Sequence, residues 1–139
     1  MGPSAAALKE KARQLGAEGR VAFLGELPHA KLMEYFRAAK AFVDPCGLEG
    51  FPTLALHALS EGCPVIAARA GSVPDLITDQ VNGLLFTAGD ALALSEAIVT
   101  LASVNGLSLK LISEGIKTVE RHSWDATVSA VFDALESLP

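Results

Sequence analysis

The chain is short of the residues that build special-purpose scaffolds. It has two cysteines, Cys46 and Cys63, in 139 residues. They form no metal-ligand spacing and no disulfide framework, and they read as plain buried or half-buried thiols in a reducing cytosol. Positive charge is in the minority: 11 Lys and Arg face 16 Asp and Glu, a net charge of −5, with a pI near 5.1. That balance argues against a nucleic-acid surface, which needs a basic face. It does not exclude a phosphate ligand, because one helix N-terminus holds a phosphate without any global positive charge. No run approaches the ~18 consecutive apolar residues of a membrane span. No basic segment followed by an apolar one opens the chain, so a cytoplasmic location is expected. Internal repeats, low-complexity tracts and long linkers are lacking too, and a single domain over residues 1–139 is expected. What is present in quantity is apolar: half the residues are hydrophobic and mean hydropathy is +0.37, which excludes a disordered chain. A chain of this length buries roughly two-thirds of its unfolded surface and needs no staple.

Helical and strand patterns alternate along it. Ser4 is placed to cap a first helix reaching Gln14, with Gly16 as the stop. Val21-Ala22-Phe23-Leu24 reads as a short buried strand ended by Gly25. Pro28 opens a second helix carrying Leu32, Phe36 and Ala39, and Ala41-Phe42-Val43 is a second strand. After the loop Cys46 to Gly50, a third helix runs to about Glu61 and stops at Gly62. The strand Pro64 to Ala68, a small-residue turn Ala70-Gly71-Ser72 and a short helix from Val73 follow. Asn82-Gly83 is a turn signal before the strand Leu84-Leu85-Phe86, and Asp90 caps the next helix. Leu107 to Arg121 and Trp124 to Glu136 are helical. The strands are all-apolar and separated by helices. That combination predicts an α/β architecture: a doubly wound, Rossmann-like parallel sheet of about four strands flanked by helices.

In such a sheet, ligands bind outside the carboxyl ends of the strands. The rule selects Gly25 to Pro28, Pro45 to Phe51, Arg69 to Ser72 and the turn after Phe86. The second loop carries Glu49 and Gly50 and opens straight into a helix. Gly50 admits close approach of backbone to a ligand. The N–H groups of residues 51 to 54, less the one Pro52 lacks, are expected to be free to face a phosphate along the helix dipole. Glu49 and His57 stand eight apart, one on the loop and one down the helix. Taken singly, a loop Glu is usually solvated and a helical His usually sits on a polar face, so this spacing alone is weak. His29 and His122 read as ordinary polar residues, Trp124 as a helix anchor packed on the domain, and Cys46 as a thiol with no base to activate it.

The ordered segments VAFLGELPHAKLMEYFRAAKAFVDPC, GLEGFPTLALHALSEGCPVIAA and AGSVPDLITDQVNGLLFTAGD carry a family resemblance. So do the late HSWDATVSAVF and the early GPSAAALKEKARQLG. Together they resemble the carboxy-terminal half of GT-B-fold, retaining, nucleotide-sugar glycosyltransferases, the group 1 or family 4 enzymes that build polysaccharides and glycolipids. The resemblance implies that this chain is the donor-binding portion of an enzyme transferring a hexose to a glycan or lipid acceptor. It implies that Glu49 contacts hydroxyls of the transferred sugar. Amides of Gly50, Phe51 and Thr53 approach the sugar and diphosphate, and position 57 grips the ribose. Gly25, Leu27, Gly71 and Ser72 are implied to line the cleft. No catalytic residue is assigned, and neither metal nor other cofactor is implied.

Two departures matter. Where the family has a ribose-gripping Glu, this chain has His57. A carboxylate accepts both bonds of a ribose diol; a neutral imidazole accepts one and donates one. The lost charge-assisted bond costs about 1.5–3 kcal/mol, roughly ten- to a hundredfold in affinity. The second departure is truncation. The family's domain opens with two further strands bearing a Gly-rich loop and a basic pair that neutralises the leaving diphosphate, and the chain is expected to start past them and to lack the acceptor domain. Arg69 and His57 are then the basic groups near the expected cleft. A donor-binding enzyme portion and a non-catalytic module derived from such an enzyme both remain open. With the two strands gone, the 21–24 and 41–43 strands are expected to pair with each other, across a homodimer axis, or with a separate subunit carrying the missing half.

Overall fold

The structure is a computed structural model that describes residues 4–46 and 50–137. Its packing gathers into two compact units, Met1–Leu32 and Met33–Pro139.

The first unit is built on helix α1 (Ala5–Gln14). Gly16, at φ +63°, turns the chain out of it. The Ala17 N–H then reaches Ala12 O at 2.8 Å, and Gly16 N–H reaches Arg13 O at 3.0 Å, the paired bonds by which a left-handed glycine closes a helix. Ser4 precedes the helix in a helical conformation and its hydroxyl makes no capping bond, contrary to the expectation for it. A 3-10 turn follows at Glu18–Arg20. Residues 21–24 correct the sequence reading: they form no strand, and Val21 and Leu24 are 43% and 48% exposed. Four apolar residues become a strand only when a neighbour supplies the ladder, and none among the described residues does. Helix α2 (His29–Ala38) begins in this unit and ends in the next.

The second unit holds the sheet: β1 (Phe42–Asp44), β2 (Val65–Ala68) and β3 (Leu84–Phe86), all parallel, in the order β1-β2-β3. Phe42 stands opposite Val65, and Ile66 opposite Leu84. The sheet therefore has three strands where about four were expected, and β1 pairs with β2 rather than with residues 21–24. The crossovers are α3 (Thr53–Ser60) and α4 (Val73–Leu76), and after β3 come α5 (Ala91–Ser103), α6 (Leu107–Arg121) and α7 (Trp124–Glu136). All four residues of β2 are fully buried. Ile66, Ala68, Leu84, Phe86 and Leu111 form one cluster of the core, with Val43, Leu94 and Leu101 packed against it. Such burial on both faces is why β2 reads as an unbroken apolar run.

Two glycines mark where elements meet at backbone distance. A Cβ on Gly115 of α6 would lie 2.8 Å from Leu59 Cδ2 of α3, and one on Gly83 would lie 2.7 Å from Ile77 Cγ2. One buried polar node ties the turn before β3 to α6. Asn82 donates to Leu76 O and to Thr118 Oγ1, both at 2.9 Å, and accepts from Thr78 N–H at 2.7 Å. Each buried polar atom of the Asn82 amide is thereby matched, as burial demands. Trp124 departs from its expected role: it is 83% exposed rather than packed on the domain.

Candidate functional site

The carboxyl ends of β1 and β2 open on the same side of the sheet because the strands are parallel and adjacent. After β1, Asp44 folds its carboxylate back to accept the Cys46 N–H at 3.1 Å, an Asx-type turn that ends the strand. Glu49, the residue expected at the transferred sugar, lies outside the described residues, with Gly47 and Leu48. Gly50 adopts φ +53°, the left-handed conformation for which glycine carries no steric cost.

Phe51 and Pro52 lead into α3. The Thr53 N–H donates to Phe51 O at 2.8 Å, and the Thr53 hydroxyl reaches the same carbonyl at 3.3 Å. The Thr53 amide, expected to be free for a phosphate, is thus engaged within the turn. The first intrahelical bond runs from Leu56 N–H to Pro52 O at 3.0 Å. The amides of Leu54 and Ala55 are therefore the ones that helix geometry leaves without an intrahelical partner. His57 is half-buried one turn below Thr53 on the same helical face.

After β2, the chain turns at Gly71, φ +53°, and enters α4. Here the two loops meet: the Ser72 hydroxyl donates to the Gly50 carbonyl. Gly50, Phe51, Thr53, Gly71 and Ser72 are consequently gathered at one end of the sheet, with His57 on the adjoining helix. Gly25, at φ +69°, and Leu27 belong to the first unit.

Charge around this end is arranged differently from expectation. Arg69 is directed at Asp79, with Nη2 to Oδ2 at 3.6 Å. Asp79 also accepts the Leu85 N–H at 2.8 Å, closing one amide of the β3 edge. Among the described residues, Arg121 and His122, at the end of α6, line one open trough together with Phe51. The His122 ring lies 5.8 Å from that of Phe51. The Arg121 guanidinium donates to Thr118 Oγ1 at 3.1 Å. The trough, apolar and about 570 Å³, runs along Ala126, Ala130 and Ala134 of α7. Sequence reasoning missed His122; the sole hint was that it stands immediately before a helix cap, Ser123, which accepts the Ala126 N–H. Cys63 is buried, and burial pushes its thiol up from the ordinary range, while Cys46 is exposed. Among the described residues no cluster of three or more His, Cys, Asp or Glu is placed to hold a metal, and no single helix is long and apolar enough to cross a membrane.

Residues 1–118 match the model of the family described as glycosyl transferases group 1. The chain is 31% identical over 121 residues to a D-inositol 3-phosphate glycosyltransferase of Corynebacterium glutamicum, covering 87% of this chain and 29% of that protein. It thus spans about three-tenths of the length of the curated relatives it matches. Among solved structures it resembles the C-terminal domain of a glycosyl transferase group 1 family protein, LpcC, from Francisella tularensis. That likeness has a TM-score of 0.75 and 28% identity, over 83% of this chain and 60% of that one. It also resembles HepE of Anabaena, solved in complex with UDP and glucose, with a TM-score of 0.82 and 26% identity over 96% of this chain and 36% of that one. The parallel sheet with its flanking helices, the matched residues and these likenesses agree: the chain belongs to the glycosyl transferases of group 1, with the fold of their GT-B carboxy-terminal domain.

Proposed function

We propose that this chain is the nucleotide-sugar-binding portion of a glycosyltransferase that transfers a hexose to a glycan or lipid acceptor. The observation that carries the reading is the Ser72 to Gly50 bond. It joins the loops that leave two adjacent parallel strands, at the end of the sheet where α/β folds take ligands. In this reading the diphosphate sits at the start of α3, where the dipole and the amide of the exposed Leu54 favour negative charge. Gly50 and Phe51 present backbone to the sugar and diphosphate, with Thr53 beside them. Glu49 holds sugar hydroxyls, His57 bonds the ribose, and Gly71 and Ser72 close the second side. Support from outside the chain is the UDP and glucose named for the HepE complex.

Stabilising the charge that develops on a leaving diphosphate is usually the largest catalytic contribution. Arg69, the cation after β2, faces Asp79 instead of the α3 start. The chain alone accordingly binds donor but transfers little or no sugar, and binding requires no metal. Calorimetry with UDP, GDP, ADP and their hexose conjugates tests this, with dissociation constants no tighter than about 100 µM expected from a dipole and amides alone. Amide shifts on titration with UDP-glucose should centre on residues 50–54; a cluster elsewhere overturns the site. His57→Glu should tighten nucleotide-sugar binding roughly tenfold or more by restoring the second ribose bond, and an unchanged constant removes residue 57 from the ribose.

A further inference from the structure

We propose that His122 is a positioning residue of this donor site: its imidazole braces the Phe51 ring and thereby holds the Gly50–Thr53 turn in the shape that receives the ligand. The proposal rests on the donor-site reading above.

The argument begins at the far end of the brace. Thr118 is buried, and its hydroxyl accepts from Asn82 at 2.9 Å and donates to Glu114 O at 3.0 Å. The Thr118 carbonyl lies 2.8 Å from His122 Nδ1. A carbonyl oxygen only accepts, so Nδ1 carries the proton, and the bond sets the tautomer and the plane of the ring. The ring so held meets Phe51 at 5.8 Å between centroids and 39° between planes, within the range of aromatic pairs. At the near end, Phe51 follows Gly50, whose carbonyl is taken by Ser72. The turn is therefore held at two points from two elements: at the Gly50 carbonyl from the start of α4, and at the Phe51 ring from the end of α6. Phe51 is 47% exposed, so burial by itself does not fix its side chain. A glycine turn next to a helix start has many conformations to lose on binding, and ordering it beforehand removes that cost from the affinity.

Two substitutions separate the ring from its hydrogen bond. His122→Asn keeps a donor for the Thr118 carbonyl and removes the ring. His122→Phe keeps a ring and removes the donor. In the ligand-free chain, His122→Asn should move the Phe51 ring protons toward their free-chain positions and speed amide exchange at residues 50–54. Amides of β2 and of Asn82 should keep wild-type protection. His122→Phe should retain the wild-type ring shifts and loop protection. With UDP-glucose, His122→Asn should weaken binding about two- to fivefold, the scale of one modest aromatic pair, and His122→Phe should stay within about twofold of wild type. If His122→Asn behaves as wild type in loop exchange or in affinity, the ring braces nothing and His122 merely ends α6. If His122→Phe weakens binding while His122→Asn does not, the hydrogen bond rather than the ring matters, and the proposal fails. Should the wild-type chain itself bind no UDP-glucose, the donor-site reading falls, and with it the positioning role; the ligand-free shifts then decide the Phe51 contact separately.

Discussion

Val65-Ile66-Ala67-Ala68 and Val21-Ala22-Phe23-Leu24 look alike on paper, each four apolar residues with a glycine or proline close by. The first is the central strand of a parallel sheet, fully buried and paired on both sides. The second has no ladder among the described residues and leaves Val21 and Leu24 about half in solvent. The pair teaches that an apolar run states only a capacity for burial. Strand formation is a property of the neighbours: Phe42 and its followers on one side, Leu84 and its followers on the other. From that segment, the Phe23 ring centroid lies 5.7 Å from Lys9 Nζ.

The comparison can be broken by substitution. Ile66→Ala opens a cavity among Leu84, Phe86 and Leu111 and should cost about 2–5 kcal/mol; urea unfolding followed by circular dichroism reads it. A loss below ~1 kcal/mol would mean that β2 is not the centre of the core. Gly83→Ala tests whether strand neighbours must approach at backbone distance, since the new methyl would stand 3.0 Å from the Val65 carbonyl oxygen and 2.7 Å from Ile77 Cγ2. Overpacking there should cost roughly 1–3 kcal/mol, seen as a lower urea midpoint with an unchanged slope. Asn82→Ala strips the polar node that docks the β3 turn on α6 and leaves the Thr78 N–H without its acceptor, a loss of about 1–3 kcal/mol. Hydrogen exchange should then report faster opening at Thr78 and Leu85 before it does at Val65. The smallest effect is expected at the other member of the pair: Leu24→Ala should change stability by less than ~0.5 kcal/mol. A measured cost of 2 kcal/mol or more would show that residues 21–24 are buried after all, against something outside the described structure.

Local chemistry was legible where the deciding partner lies within a few residues. Asp90 accepts the N–H groups of Leu92 and Ala93 at 2.9 and 3.0 Å, as a cap should. Asn82-Gly83 turns the chain into β3, and Gly16 closes α1 with a left-handed turn. The candidate site was half legible. Gly50 and the α3 start were marked by the loop before a helix, and Ser72 by its place after a strand. That Ser72 bonds Gly50, 22 residues away, was not legible. Nor was the meeting of Phe51 with His122 across 71 positions, since neither residue carries a local signal for the other. Trp124 was misread because a large aromatic ring has no periodicity of its own to say which side of a helix it takes, and α7 buries none of its residues.

By itself, then, the sequence determined the alternation of helices and largely apolar strands and the parallel class of the sheet. Those follow from hydrogen bonding and steric preference over one or two turns of chain, and a linear reading sees that range. The tertiary structure alone decided which apolar run became a strand, which amide at α3 was already engaged, and which cation faced an acid instead of the site. Each of these is settled by a contact between residues far apart in sequence. Such contacts depend on which surfaces the finished packing leaves adjacent, and no local pattern encodes that.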